Sequence, residues 1–361
     1  MKKRILALSL CFVMLFSLCS CKADNSVMTV SDTEIPSGVF AYYLNEVMSA
    51  PEKYDVTDND RQTIIEKAEL LCKGYAVTAL FMNERKVTLG TGNKQSVATR
   101  TETLWNLYSD YYKSIGIDKT DITKVITHEE RKLSLLEYYF GEKGLKPVSE
   151  DELKEEFVDI YVGFKAVEGS LTKTNDAGET VEMTEKEKAA LKKRFSTYAQ
   201  RINDGEITID EANVAYNSSL GLIVTGDVES SIVRSGDPMF AEDFFDKVNS
   251  MSHTKAAVIE SGTKIYLVQR ERIATDEGDA FFTYRTEVLK QMKMASVENK
   301  IKALADKAEA DVKRRKLEKI YDILEEARAV GEPTEQAAAE AETTIAESVT
   351  TEITEDKTTE A

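Results

Sequence analysis

Residues 237–273 read DPMFAEDFFDKVNSMSHTKAAVIESGTKIYLVQRERI. Pro238 to Val248 reads as a helix, and two apolar runs follow, Ala256 to Ile259 and Lys264 to Arg270. Glu260-Ser261-Gly262 between them is a turn, so the runs form a hairpin. Upstream, FVDIYVGFKAV (Phe157 to Val167) is rich in β-branched and aromatic residues and reads as a strand. Just before it, Ser149 with Glu152 three residues on is a capping box that opens a helix. Between strand and hairpin lie a Gly/Asn/Thr-rich loop (Gly169 to Thr180), a helix from Glu185 to Ile202 and a shorter helix from Ile209 to Ala215. A strand over Leu220 to Val224 completes the set. Residues 148–275 are therefore expected to form a small α+β domain.

The flanks read differently. Residues 21–147 open on a short strand (Val27 to Val30) and a polar turn. Pro36 then enters the first turn of a helix carrying Phe40, Tyr43, Leu44 and Val47. Ile64, Ala68, Leu71, Tyr75, Ala79 and Met82 recur every three or four residues, one face of a helix from about Asp60 to Val87. Further helices are expected at Lys94 to Ile115 and Thr120 to Phe140. Residues 276–330 carry another stripe, Val297, Ile301, Leu304, Ala308 and Val312. It slips by five residues across Lys313–Lys316 and resumes at Leu317, Ile320, Leu324 and Ala327. A helix this long cannot bury its face alone, so the two flanks are expected to make one discontinuous helical lobe with the α+β domain inserted.

The ends are not read as fold. Residues 1–20 carry Lys2, Lys3 and Arg4 and then an apolar run from Ile5 of about 14 residues, shorter than the roughly 20 that span a bilayer. Leu18-Cys19-Ser20-Cys21 resembles a bacterial lipobox with Cys21 as the lipid-modified N-terminus. Cleavage at Cys19 would place Phe16 and Leu18 where smaller residues belong, and an ordinary signal peptide cut nearby is the alternative. With Cys21 lipidated, Cys72 has no intramolecular partner and reads as a small core residue. Residues 331–361 hold nine acids, one lysine and no aromatic residue, a composition that cannot bury enough surface to fold.

The whole chain of 361 residues has 47 Lys and Arg against 64 Asp and Glu, a net charge of −17. That excess of acid excludes nucleic acid as the main partner and repels anionic head groups, so a membrane is reached through a lipid on Cys21 rather than through surface charge. Two histidines and four cysteines leave little for a metal site. No Gly-x-Ser-x-Gly, His-Glu-x-x-His or Cys-x-x-Cys occurs, and no cofactor is expected. Gly90–Lys94 lacks the length of a phosphate loop, and Asp55, Asp58 and Asp60 lack the spacing of a calcium loop. The Lys313–Lys316 run reads as a solvated helix face.

A lipobox, a strand-turn-helix written TVSDTEIPSGVFAYYL, a helical bundle, an inserted α+β domain and a returning helix together resemble the SurA/PrsA-type extracytoplasmic foldases. Within the middle block, AQRINDGEITIDEANVAYN (Ala199 to Asn217) and residues 237–273 are similar to the helix pair and the closing helix and hairpin of a parvulin domain. The resemblance implies a helical chaperone lobe around a parvulin-type peptidyl-prolyl isomerase domain. It also implies attachment to the outside of a bacterial cell membrane and unfolded or newly secreted polypeptides as partners. Such domains use a His on the first strand, a His on the last, and a Cys or Asp between. Here the first strand has no His, Tyr266 stands where the second His is expected, and Asp227 is the residue between. His128 and His253 read as exposed and structural.

The resemblance therefore implies a foldase scaffold with weak or no isomerase activity; an active isomerase using Tyr266 and Asp227, or a structural or binding lipoprotein, are the alternatives. Residues expected to hold client chains are the aromatics Phe40, Tyr43, Trp105, Tyr108, Tyr112 and Tyr139, since Tyr and Trp offer apolar area with a polar handle. Tyr42, Tyr111, Tyr138 and Phe140 accompany them. Neighbours such as Tyr111-Tyr112 and Tyr138-Tyr139 cannot all point inward on a helix, so some of these rings lie near the surface.

Overall fold

A computed structural model describes residues 25–57, 60–175, 177–273, 275 and 280–330. Residues 1–24, with the expected signal segment and Cys21, Asp58 and residues 331–361 lie outside the described residues. The fold is α+β and mostly helical, with small antiparallel sheets. It divides into two compact units, Met1–Pro147 with Lys293–Ala361, and Val148–Met292.

In the first unit, β1 (Ser26–Val30) pairs antiparallel with β2 (Thr33–Pro36), where a polar turn was expected to run directly into the helix. Pro36 is the cap of α1 (Ser37–Ser49) rather than part of its first turn. The next helices are α2 (Arg61–Arg85), opened by the Asp60 carboxylate accepting from the Thr63 N–H at 3.0 Å, α3 (Thr91–Ser114) and α4 (Lys119–Phe140). Their bounds fall within a few residues of the expected ones, because caps and apolar spacing are both local signals. Helix α2 buries Ile64, Ala68 and Met82 from the expected stripe, and also Ile65, Cys72, Ala76 and Val77. It is packed on more than one side, which a single stripe does not reveal. Gly38 of α1 sits where a Cβ would meet the Asp121 carboxylate of α4 at 2.0 Å, so only glycine allows that approach.

The second unit opens with α5 (Glu150–Ile160), capped by the Ser149/Glu152 box, and then β3 (Tyr161–Ser170). Phe157 to Ile160, expected as strand, are the last turn of α5. Leu153 and Phe157, four apart, are its two buried positions, and helical spacing wins over the β-prone run that follows. Next come a small hairpin, β4 (Thr172–Thr174) and β5 (Thr180–Glu182), within the expected loop, and α6 (Glu185–Asn203) and α7 (Ile209–Ser219). Leu220–Val224 form no strand; Gly221 and Gly226 have φ of 77° and 103°, which break an extended run. The strand is instead β6 (Ser231–Arg234), and the helix expected from Pro238 is the shorter α8 (Phe244–Asn249). The hairpin forms as β7 (Ala256–Ser261) and β8 (Lys264–Glu271), with Ser261 opposite Lys264. The sheet order is β6-β3-β8-β7, all antiparallel. One face packs Val167, Ile265 and Leu267 under Phe195 and Tyr216 of α6 and α7; the other packs Val162, Phe164, Tyr266 and Val268 under Phe244 and Val248 of α8.

The returning segment is not one helix. It is α9 (Ala280–Ala305), β9 (Ala310–Val312) and α10 (Arg314–Val330). The slip in the stripe is a true break, filled by β9 pairing with β1 (Met28 opposite Val312). Val297, Ile301 and Ala305 are buried, and then Leu317, Tyr321 and Leu324, whereas Leu304 is exposed. Lys313 and Lys316, expected to lie in solvent, reach the backbone oxygen of Ser26, and Arg314 pairs with Glu69.

Candidate functional site

Two places carry the residues that the sequence singles out. The first is the α8-covered face of the sheet in the second unit. Strand alternation puts Phe164, Tyr266 and Val268 on that face. Tyr266 is 5% exposed. The Phe240 and Phe244 rings lie 5.8 and 5.5 Å from it and stack on each other at 4.1 Å, and Phe164 lies 5.8 and 5.5 Å from those two. Four aromatic rings, Phe164, Phe240, Phe244 and Tyr266 itself, are thus packed together on this face. Burial, and then the Glu168 carboxylate opposite it in the ladder, push the Tyr266 hydroxyl up, so it is a neutral phenol at physiological pH. A neutral phenol can donate a hydrogen bond and is a poor base.

Asp227 is exposed in the segment after α7, beside Val228, which packs on the opposite face of the sheet and donates its N–H to Asp210 Oδ1 of α7, whereas Tyr266 is on the α8-covered face. The structure therefore does not join the two candidate catalytic residues. Neither histidine is among the residues packed together on this face. His128, expected to be exposed, is buried in α4 between the rings of Tyr43 and Tyr75, and burial lowers it to about 4. His253 is exposed in the loop before β7. Among the described residues no group of three or more His, Cys, Asp or Glu could hold a metal ion.

The second place is the aromatic surface of the first unit. Phe40, Tyr43 and Tyr112 are core residues, at 0%, 6% and 8% exposure, and do not offer a binding surface as expected. Phe40 and Tyr43 lie on the inward stripe of α1, which the spacing of that helix already favours. Tyr112 is drawn in by Tyr42, 6.3 Å away, while its neighbour Tyr111 stays half-buried and donates to Asn45 Oδ1 at 2.6 Å.

What remains at the surface is on α3. This helix of 24 residues buries only Thr101 and Tyr112. Trp105 and Tyr108 are half-buried, and Leu107 is 55% exposed. Helix α3 is held on α4 by a buried carboxylate: Glu130, 2% exposed, accepts from Asn93 Nδ2 at 2.9 Å, Ser96 Oγ at 2.7 Å and Arg100 Nη1 at 2.9 Å. Tyr139, half-buried, stacks on Phe81 at 6.4 Å with Lys300 over its ring.

Aromatic character alone missed the exposed aliphatic residues. In the second unit Leu220, Leu222 and Ile223 are 54%, 54% and 101% exposed, and Met239 is 71% exposed. For Leu220 to Ile223 the signal was an apolar run interrupted by Gly221, but it reads equally well as a buried strand.

No family model and no curated protein matches the chain. Solved structures are similar to it over most of its length. The foldase protein PrsA from Lactococcus lactis is 11% identical, with 83% of this chain and 98% of that one covered at a TM-score of 0.35. PrsA from Bacillus subtilis is 12% identical, covering 83% and 99%, at 0.30. A structure described as that of SurA-like chaperones of Campylobacter jejuni is 11% identical, covering 80% and 98%, at 0.27. At identities and scores this low the likeness transfers no activity.

Proposed function

We propose that the chain is a membrane-tethered extracytoplasmic holder of unfolded polypeptides, and that its α+β unit has little or no proline isomerase activity. The observation that carries this reading is α3, an aromatic-rich helix that leaves Trp105, Leu107 and Tyr108 partly open to solvent. Exposed apolar and aromatic area suits segments of varied sequence, because the attraction follows area and not a fixed pattern of partners. Tyr139 and the Leu220–Ile223 segment are further surfaces of the same kind, each on its own unit. The packed rings around Tyr266 support the absence of isomerisation, since that reaction needs room to turn a bond with a barrier of roughly 18–20 kcal/mol.

Trp105 is the only tryptophan, so its fluorescence reports directly on this surface. An unfolded reference protein should shift Trp105 emission to the blue and aggregate less in the presence of the chain, with no gain in cis/trans isomerisation of a proline peptide. Replacing Trp105 and Leu107 by serine should weaken the suppression several-fold while leaving the melting temperature within a few degrees. Isomerisation well above background would instead establish the active-isomerase reading. Failure in both assays would favour a structural or binding lipoprotein.

Tethering is proposed through Cys21. No helix among the described residues is long and apolar enough to cross a membrane. Cys21→Ala should release the chain from the membrane fraction of expressing cells.

A further inference from the structure

The second unit has a cavity of about 200 Å³ lined by Val158 of α5, Tyr161, Val162 and Gly163 of β3, His253, and Arg270 to Ile273 at the end of β8. It is smaller than the several hundred Å³ of a drug-sized site, and suits a ligand of one residue. Three basic side chains meet there. His253 is placed by the loop before β7, in which the Thr254 N–H donates to the Arg270 carbonyl at 2.8 Å and the Arg270 N–H donates to the Lys255 carbonyl at 3.0 Å. Both Arg270 and Arg272 act on the His253 ring.

Arg270 is held firmly. Its Nη1 donates to the carbonyls of Asn249 and Met251 and its Nη2 to Asn249 Oδ1, while its Nε is buried with no acceptor. The guanidinium is thus pinned by backbone oxygens beside the cavity, and its Nε–H, closed off from solvent, stays an unmet donor, which is costly. The one acid on the lining, Glu271, alternates with Arg270 along the strand, and its Oε2 accepts from Ser230 Oγ at 2.6 Å. That hydrogen bond, rather than an ion pair with Arg270, is what holds its carboxylate. The remaining wall, Val158, Val162 and Ile273, is apolar.

We propose that this cavity binds a carboxylate lying beside one apolar side chain, the chemistry of the C-terminal residue of a polypeptide. The carboxylate is drawn by the pinned Arg270 cation and pairs with the Arg272 guanidinium, since charge-assisted bonds to guanidinium are the strong ones. The C-terminal carbonyls of α5 oppose an anion on their side, so the carboxylate belongs on the β8 side and the apolar side chain beside Val158. An acidic side chain next to an apolar residue offers the same chemistry from within a chain.

The test uses the full chain, carried in mild detergent and labelled with ¹³C in its histidines. There are only two of these, and buried His128 is the internal control. Three probes are titrated: acetyl-Ala-Ala-Val with a free carboxylate, the same peptide as its C-terminal amide, and acetyl-Glu-Val amide.

The free carboxylate should saturate with a dissociation constant of about 1 mM or tighter. Because a nearby anion favours imidazolium, it should raise the pKa of His253 by roughly half a unit or more; His128 should stay still. Arg272→Gln should weaken binding roughly tenfold, and Arg272→Lys should retain most of it. Equal effects from acetyl-Glu-Val amide would support the site with acidic side chains as its source. An amide as effective as the acid, or no shift of His253 with either carboxylate at about 20 mM, twentyfold above that constant, would overturn the proposal. Neither result bears on the aggregation assay above, which reads the α3 surface of the other unit.

Discussion

His128 lies 6.3 Å from the Tyr43 ring and 5.6 Å from the Tyr75 ring, and its Nδ1 and the Tyr43 hydroxyl are both buried without partners. Glu129 on the same helix favours the charged form, but burial, with Lys132 and Arg131, outweighs it. The folded value near 4 is below the ordinary 6.5, so the unfolded chain takes up the proton first as pH falls. The stability this site contributes is complete above pH 6.5 and is lost as pH falls from there through 4. At 1.36 kcal/mol per unit the most it can lose is about 3 kcal/mol. Melting temperatures measured from pH 7 to 4.5 should therefore drop steeply for the native chain and less steeply for His128→Leu. Parallel curves would show that other groups govern acid sensitivity. The sequence placed His128 on a helix but not inside it, because its burial depends on the tyrosines that α1 and α2 bring against it.

At the scale of elements, the Glu130 cluster is the clamp on the proposed client-binding helix. Its three donors all come from α3. Glu130→Ala leaves Arg100 without its carboxylate in a half-buried place and should cost about 3 kcal/mol. Glu130→Gln, which can keep part of the hydrogen bonding, should cost less. Hydrogen exchange should rise first within residues 91–114, since that helix has few other buried anchors. Uniform acceleration over the whole chain would instead mean that the pair stabilises the unit as a whole. Helix α3 was legible from the spacing of Trp105, Tyr108 and Tyr112, and the hairpin from its Glu-Ser-Gly turn. The start of β3, the position of β6 and the short strand β9 were not. Each is fixed by a partner strand distant in sequence, and β-propensity follows that context more than it follows the residues themselves.

The first unit is closed by its last segments. Strand β9 covers one edge of β1, and α10 buries Leu317, Tyr321 and Leu324. Ending the chain at Asp306 would uncover the β1 edge and remove three large apolar side chains from the core, each worth roughly 1.5–3 kcal/mol of burial. Together that is comparable with the roughly 5–15 kcal/mol that holds a typical domain. Such a truncation should abolish the cooperative melt of the first unit and expose α2 to limited proteolysis. A truncated chain that melts like the native one would show that β9 and α10 are dispensable.

Composition and local pattern by themselves determined an α+β, mostly helical chain, the bounds of α2 to α4, and the β7–β8 hairpin, because caps, turns and helical periodicity act over a few residues. They also showed that the α+β unit carries no histidine on its first strand, which is a matter of residue identity alone. Only the tertiary structure decided that Phe40, Tyr43 and Tyr112 are core while Leu107 is exposed and Trp105 and Tyr108 are half-buried. Only it showed that Tyr266 is walled in by phenylalanines, and that a break after α9 lets β9 join the first strand. The sequence lists which side chains have apolar area to bury. Which of them find a partner depends on elements that meet from far apart along the chain.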